Sequence, residues 1–143
     1  MNFELCLNCI NEEYLTNALM ITALHDVDSI ELCSDMDAGG LTPSAQMIRI
    51  ARDILGHYNG LMVMMRPRPG NFVYTNKEVD NLIEQIEIAA DNGADGIVFG
   101  CLDDNMNINT DQLNRITAVA DKHYMDTTFH MAFDCISNKN NAI

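Results

Sequence analysis

Short apolar stretches alternate along the chain with longer segments of helical spacing. The short stretches predict β-strands at Phe3–Leu7, Ser29–Cys33, Leu61–Arg66, Gly96–Cys101 and Thr127–Phe133. The longer segments, with apolar residues three or four positions apart, predict helices at Glu12–Leu24, Pro43–Leu55, Val79–Ala90 and Asp111–His123. This alternation predicts an α/β fold, in which parallel strands are joined by crossover helices. Periodicity alone does not separate a barrel from an open sheet.

Three of the predicted helices begin near threonines, whose hydroxyls favour the N-cap position. Thr42 precedes Pro43, and a proline suits the first turn of a helix. Thr75 and Thr110 precede the third and fourth helices in the same way. We therefore expect these three threonines to cap the helices that follow them.

The length of the chain and an internal repeat in its sequence indicate a single domain. Its 143 residues are enough for a sizeable core. A weak internal repeat, HDVDSIELC and NGADGIVFG, runs in both copies from a helix end through an aspartate into an apolar strand. Such echoes are typical of folds built from similar βα units. We expect one domain over residues 1–143, with a frayed polar tail at about 137–143.

Charge and cysteine usage narrow the classes of partner. A net charge of -13 argues against binding nucleic acid or an anionic membrane through bulk electrostatics, although a local basic spot can still bind a small anion. No basic leader or bilayer-length apolar run is present in the sequence. The odd count of five cysteines indicates free thiols. We therefore expect a cytoplasmic protein, and leave homo-oligomer formation open.

Polar side chains recur on one face of several predicted strands. Because side chains alternate across a strand, Glu4 shares a face with Cys6, and Glu31 shares a face with Cys33. By the same alternation, Arg66 lies on the polar face of the third predicted strand, and His130 and Asp134 lie on the polar face of the fifth. A buried parallel strand is normally apolar on both faces, so this polar face predicts a site.

The carboxylates, the guanidinium and the imidazole on this face suit acid–base chemistry. Groups brought together in a cleft perturb one another's pKa, which general acid–base catalysis exploits. Candidate catalytic residues are therefore Glu4, Glu31, Arg66 and His130. The structural alternative is an ion-pair network in which Arg66 neutralises the two glutamates.

Five stretches of the chain resemble the CutC copper-homeostasis family. They are FELCLN, DSIELCSDMDAGGLTPS, MMRPRPGNFVY, GADGIVFGCL and TFHMAFD, in family order and with family-like spacing. The resemblance implies a TIM-like (β/α) barrel, a cytoplasmic protein and a role in copper homeostasis, and it implies no particular reaction. A complete barrel needs roughly 200 to 250 residues. We therefore expect a partial barrel of about five parallel strands and about four helices.

The resemblance also implies a metal site. Cys6 and Cys33 match the family's thiols on its first two strands, and thiolates suit Cu(I). The structural alternative is that free cysteines behave as small buried hydrophobes. Cys9 forms a C-x-x-C pair with Cys6, which leaves a redox pair or an auxiliary ligand open. The Met62–Met65 run, by contrast, is typical of core filling.

A small anion is the second ligand class that the sequence suggests. The predicted anion-binding residues are Arg66, Arg68, Thr42 and Ser44. Arginines can hold a carboxylate or phosphate in a bidentate way, and the amides at a helix start can accept an anion. The family usually has an arginine where this chain has Met131, which removes a basic group from this region.

The sequence leaves three hypotheses about function open. The first is a copper-homeostasis protein that binds Cu(I) through Cys6 and Cys33. The second is an enzyme whose barrel mouth acts on a small anionic metabolite. The third is an incomplete remnant without activity.

Overall fold

The computed structural model of the protein describes residues 2–57, 59–137 and 139. Within them lies one parallel sheet in the order β1-β2-β3-β4-β5. The strands are β1 Glu4–Asn8, β2 Ser29–Cys33, β3 Gly60–Met64, β4 Gly96–Phe99 and β5 Asp126–Phe129. The helices are α1 Glu12–Thr22, α2 Ala45–Leu55, α3 Asn76–Asp91 and α4 Thr110–Lys122. Short 3-10 turns lie at Met36–Ala38 and Met131–Cys135. The predicted α/β order of five parallel strands and four helices is confirmed.

One face of the sheet packs against the helices and forms the main core. Every second strand residue points to this side, and the fully buried strand residues on it are Ile30, Leu32, Leu61, Val63, Ile97 and Phe99; Met65, just after β3, joins them. Leu15, Leu19, Ile48, Leu82, Ile86 and Ile116 meet them from the helices. Burying each such side chain contributes about 1.5 to 3 kcal/mol, so this face dominates the stability of the fold.

The opposite face carries a smaller apolar cluster and the polar residues. Cys33, Met62, Met64 and Val98 are buried together there. Met65 points to the helix side and is 0% exposed, so the methionine run fills both sides of β3. These methionine side chains are buried and not exposed to solvent, which agrees with their interpretation as core.

Serine and asparagine, rather than two of the predicted threonines, cap the helices. Ser44 accepts a hydrogen bond from the amide of Met47 and caps α2, because the hydroxyl of Thr42 is engaged by the backbone of Arg66. Asn109 caps α4, and Thr110 is the first residue of that helix. The prediction at Thr75 is correct, since its side chain and that of Glu78 form a reciprocal capping box.

The fifth strand is shorter than predicted. The prediction of a strand as far as Phe133 is wrong, because the chain turns after Phe129 into a 3-10 turn that His130 caps by accepting from the amide of Ala132. Asp134 therefore leaves the sheet and lies exposed near Lys139, at 3.7 Å. Of the predicted frayed tail, only Ser137 and Lys139 fall within the described residues. In the part of the chain that the structure describes, no helix is both long enough and apolar enough to cross a membrane.

Candidate metal and anion site at the strand ends

The first two strands bring two thiols and a carboxylate together. The parallel register pairs Cys6 with Glu31 and Asn8 with Cys33. Since alternate residues share a face, Cys6, Glu31 and Cys33 all point away from the helices. The two sulfurs lie 3.8 Å apart, and Glu31 Oε1 lies 3.4 Å from Cys33 Sγ and 3.9 Å from Cys6 Sγ. Their ligand atoms all fall within 4.8 Å of one another.

The environment of this cluster favours the protonated form of each of its three groups. Burial, with the neighbouring Cys6 and Glu31, raises the pKa of the Cys33 thiol far above its ordinary value. Burial and the Glu31 carboxylate also raise the pKa of Cys6. Burial likewise raises the pKa of Glu31, partly offset by hydrogen bonds from the thiols. A bound cation would supply the positive charge that these groups lack.

The remaining cysteines do not join the cluster. Cys9 is 6% exposed in the helix-side core, and its amide donates to the carbonyl of Cys33 at 2.8 Å. Burial raises the pKa of the Cys101 thiol to about 12, and Cys135 lies exposed on the last 3-10 turn. Within residues 2–57, 59–137 and 139, the Cys6–Glu31–Cys33 group is the only set of three that could hold a metal.

Arg66 lies two residues after β3, which ends at Met64 and not at Arg66 as predicted, and its guanidinium binds backbone carbonyls. Nη1 donates to the carbonyls of Ala38, Gly39 and Gly40 at 3.1, 3.0 and 3.3 Å, and Nη2 donates to Gly70 at 2.8 Å. The side chain is 4% exposed. None of the ion pairs found in the described part of the chain involves Arg66. The alternative of an ion-pair network, in which Arg66 neutralises Glu4 and Glu31, is therefore not found in that part of the chain, and Arg66 instead joins the β2–α2 loop to the loop after β3.

The other predicted anion-binding residues are also engaged by protein groups. Arg68 donates to the Glu78 carboxylate at 2.5 Å and to three backbone carbonyls and a side-chain amide in its own loop. Thr42 both donates to and accepts from the backbone of Arg66. Ser44 caps α2. These contacts fix the loops around the strand ends and leave Arg68 with no spare donor.

Glu4 lies at the opposite end of β1 from this arginine. It accepts a hydrogen bond from the Ser29 hydroxyl at 2.7 Å and lines an open concavity of about 590 Å³ with Asp28, Asp95 and Asp126. A separation of two strand residues places it roughly 7 Å from Cys6 along the strand. The structure thus separates Glu4 from Arg66 and His130.

Glu31 and His130 face one cavity. Its volume is about 250 Å³, and Met64, Val98, Thr128 and Met131 complete much of its wall. Burial and the nearby Arg66 lower the pKa of His130 to about 4, so the imidazole is neutral at pH 7. Its Nδ1 accepts from the amide of Ala132 at 3.2 Å, which assigns the proton to Nε2. A carboxyl and a neutral imidazole therefore line the same cavity.

The close approach of His130 to the sheet depends on a glycine that the sequence argument missed. A Cβ at Gly100 would lie 2.5 Å from His130 Cε1. A glycine directly after an apolar strand is the available signal, since such positions often mark a close approach. Phe72 was missed as well; its ring lies 5.0 Å from that of His130 and 4.9 Å from the Arg66 guanidinium carbon.

Comparisons with known proteins agree on one family. The sequence profile of the CutC family matches residues 1–143. A CutC family protein of Bacteroides thetaiotaomicron is 35% identical over 141 residues, which cover 99% of this chain and 53% of that protein. The human copper homeostasis protein cutC homolog is 35% identical over 109 residues, covering 76% of this chain and 38% of that protein.

A solved structure extends the likeness to the fold. A Streptococcus agalactiae protein, described as a candidate copper homeostasis protein CutC, superposes with a TM-score of 0.85 at 32% identity, over 99% of this chain and 66% of that one. The chain spans about half the length of the bacterial relatives it matches. The matched profile, the identities and the shared fold show that this chain belongs to the CutC family.

Proposed function

We propose that this protein binds Cu(I) through Cys6 and Cys33 and serves copper homeostasis in the cytoplasm. The observation that carries the proposal is the 3.8 Å separation of the two sulfurs, on side chains that share one face of neighbouring strands. Cu(I) prefers soft thiolate ligands, and two of them lie within reach of a single ion. The free state of all five cysteines fits a reducing compartment.

The names of relatives support the same function. The human and Drosophila melanogaster proteins are both named copper homeostasis protein cutC homolog, at 35% and 38% identity. These matches cover 38% and 41% of the two proteins, so the role of the whole relative is carried over here as a proposal.

Cu(I) titration of the reduced protein against a chromophoric chelator tests this function. We expect one equivalent to bind tightly, and the Cys6→Ser/Cys33→Ser variant to lose that binding. The control variant is Cys101→Ala/Cys135→Ala, which also removes two thiols but leaves the cluster intact, and it should bind as the parent does. Circular dichroism establishes that each variant is folded. Equal binding by the Cys6/Cys33 variant would exclude this site.

The shared cavity favours a second candidate function, an enzyme acting on a small anionic metabolite. Glu31 and neutral His130 line the same 250 Å³ space, so a small substrate held there would lie beside both a carboxyl and an imidazole. Arg66 would orient the substrate, but four carbonyls occupy both of its terminal nitrogens, which makes this candidate the weaker one. If the Glu31→Gln variant turns over or binds every screened metabolite as the parent does, Glu31 has no role in catalysis and the enzyme candidate loses its central residue.

The third reading, an incomplete remnant, makes a separate prediction about folding. The helix-side core is continuous from Leu15 to Ile136 across all five strands, so we expect a cooperative thermal transition. A broad, non-cooperative loss of structure would instead support the remnant.

A further inference from the structure

The arrangement of Cys6, Cys33 and Glu31 is compact enough to specify a coordination geometry. Metal–sulfur bonds of about 2.3 Å across sulfurs 3.8 Å apart require a sulfur–metal–sulfur angle of roughly 110°. A linear two-coordinate site would need the sulfurs about 4.6 Å apart at the same bond length. The two thiols are therefore placed for an ion with three or four ligands.

Glu31 occupies the third corner of such a site. An ideal tetrahedron with metal–sulfur bonds of about 2.3 Å and a metal–oxygen bond of about 2.1 Å has sulfur–oxygen edges of about 3.6 Å. The observed edges from Glu31 Oε1 are 3.4 Å to Cys33 and 3.9 Å to Cys6. The sulfur–sulfur edge of the same tetrahedron is about 3.8 Å, and the observed separation is 3.8 Å. All three edges fit before any metal is bound.

The charge and hardness of the ligand set point to a divalent ion. Two thiolates and a carboxylate together carry three negative charges, of which a divalent ion neutralises two and Cu(I) only one. Cys33 is 1% exposed, so residual charge at this position is costly. A carboxylate oxygen is also a poorer ligand for soft Cu(I) than for borderline-soft Zn²⁺, which binds cysteine and glutamate together.

We propose that Cys6, Cys33 and Glu31 form a tetrahedral Zn²⁺ site with three protein ligands and one open position. The open position suits a water or an oxygen-bearing ligand, as in zinc sites that keep an exchangeable fourth ligand. Cys6 is exposed and Glu31 also lines the 250 Å³ cavity, so solvent and small molecules have a route to this corner. The inference rests on the thiol pair of the proposed copper function: one ion occupies the pair at a time, and Glu31 completes the ligand set when that ion is Zn²⁺.

Co²⁺ is the spectroscopic probe for this site. Added to the full chain kept reduced with a phosphine, Co²⁺ should give the visible absorption of a four-coordinate ion together with a thiolate charge-transfer band. Zn²⁺ should displace it with a stoichiometry of one. The Glu31→Gln variant should bind Co²⁺ and Zn²⁺ at least roughly tenfold more weakly, because even outer-shell partners of metal ligands are worth that much. The same variant should lose less than tenfold in Cu(I) affinity.

The matched control is Glu84→Gln, which removes one exposed carboxylate from α3, on the helix side of the sheet. It should bind Co²⁺ as the parent does. Cu(I) binding without a four-coordinate Co²⁺ spectrum would overturn the zinc site and leave the copper function standing. Zn²⁺ binding without Cu(I) binding would do the reverse. A Glu31→Gln variant with parental Zn²⁺ affinity would overturn the three-ligand set, and so would binding of neither ion.

Discussion

Replacing Arg66 with methionine should remove the main tie between two loops at the strand ends. Methionine keeps much of the length and apolar stem of the side chain but offers no donor. Four carbonyls, from Ala38, Gly39, Gly40 and Gly70, lose their partner at once. The β2–α2 loop and the loop after β3 would then be joined chiefly through the hydrogen bonds of Thr42 to the Arg66 backbone, which do not depend on the side chain.

The magnitude follows from which of these carbonyls can be rehydrated. A hydrogen bond to a charged group contributes about 1.5 to 3 kcal/mol, but an acceptor that regains water loses less. Gly40 is buried, whereas Gly70 is exposed and Ala38 and Gly39 are partly so. The variant also escapes the cost of burying a charge without a counter-ion. We therefore expect a net loss of about 3 kcal/mol, well below the sum of four separate bonds.

Urea unfolding followed by circular dichroism measures this loss directly. The control is Arg115→Met, which breaks a pair with Asp80 whose side chains are 40% and 61% exposed, and which should cost less than about 1 kcal/mol. Equal m-values would show that both variants unfold from the same compact state. If the two variants were equally stable, the carbonyl contacts of Arg66 would not hold the loops, and this reasoning would be refuted.

Three further perturbations probe the same region and the helix that follows it. Gly39→Ala should cost about 1 kcal/mol more in urea unfolding than Gly70→Ala, because both glycines have a positive φ but only a Cβ at Gly39 would meet Arg66, at 2.8 Å; equal losses would contradict this. Thr75→Ala should lower the free energy of unfolding by about 1 kcal/mol through loss of the α3 capping box, and an unchanged melting temperature would count against it. His130 has a folded pKa of about 4 against about 6.5 when unfolded, so its contribution is present above pH 6.5 and is lost as the pH falls to 4, by up to about 3 kcal/mol. His130→Asn should flatten this part of the pH–stability curve, and an unaltered slope would exclude His130 as its source.

The polar face of the sheet was predictable because strand periodicity is local. In a strand over residues 29–33, Glu31 and Cys33 must share a face, and the structure places them so. The contact between Cys6 and Cys33 was not predictable in this way. It depends on the register of β1 against β2, which long-range packing sets and which no residue in either strand encodes alone.

The failures of prediction share a physical cause, which is competition for a polar group. Thr42 has the residue type of an N-cap, but its hydroxyl satisfies the Arg66 backbone, so Ser44 takes the cap. The β5 pattern continues past Phe129, but the imidazole of His130 accepts from Ala132 and turns the chain. Residue propensity does not include such hydrogen bonds. The Thr42–Arg66 contact decided the cap of α2, and the His130–Ala132 contact decided the end of β5.

The separation of charges at the strand ends explains how one mouth can hold both an arginine and a cation site. Had Arg66 formed a salt bridge with Glu31, the carboxylate would already be neutralised and a metal would have to break that pair. Instead the guanidinium is held by carbonyl dipoles from two loops, and the two thiols are the hydrogen-bond partners of Glu31 in the described part of the chain. The three ligand atoms of Cys6, Glu31 and Cys33 are therefore already close together, and no ion pair found in the described residues gives Glu31 a cationic partner. Metal binding there would need to displace protons but not rearrange the loops, because the Arg66 contacts fix those loops independently of the ion.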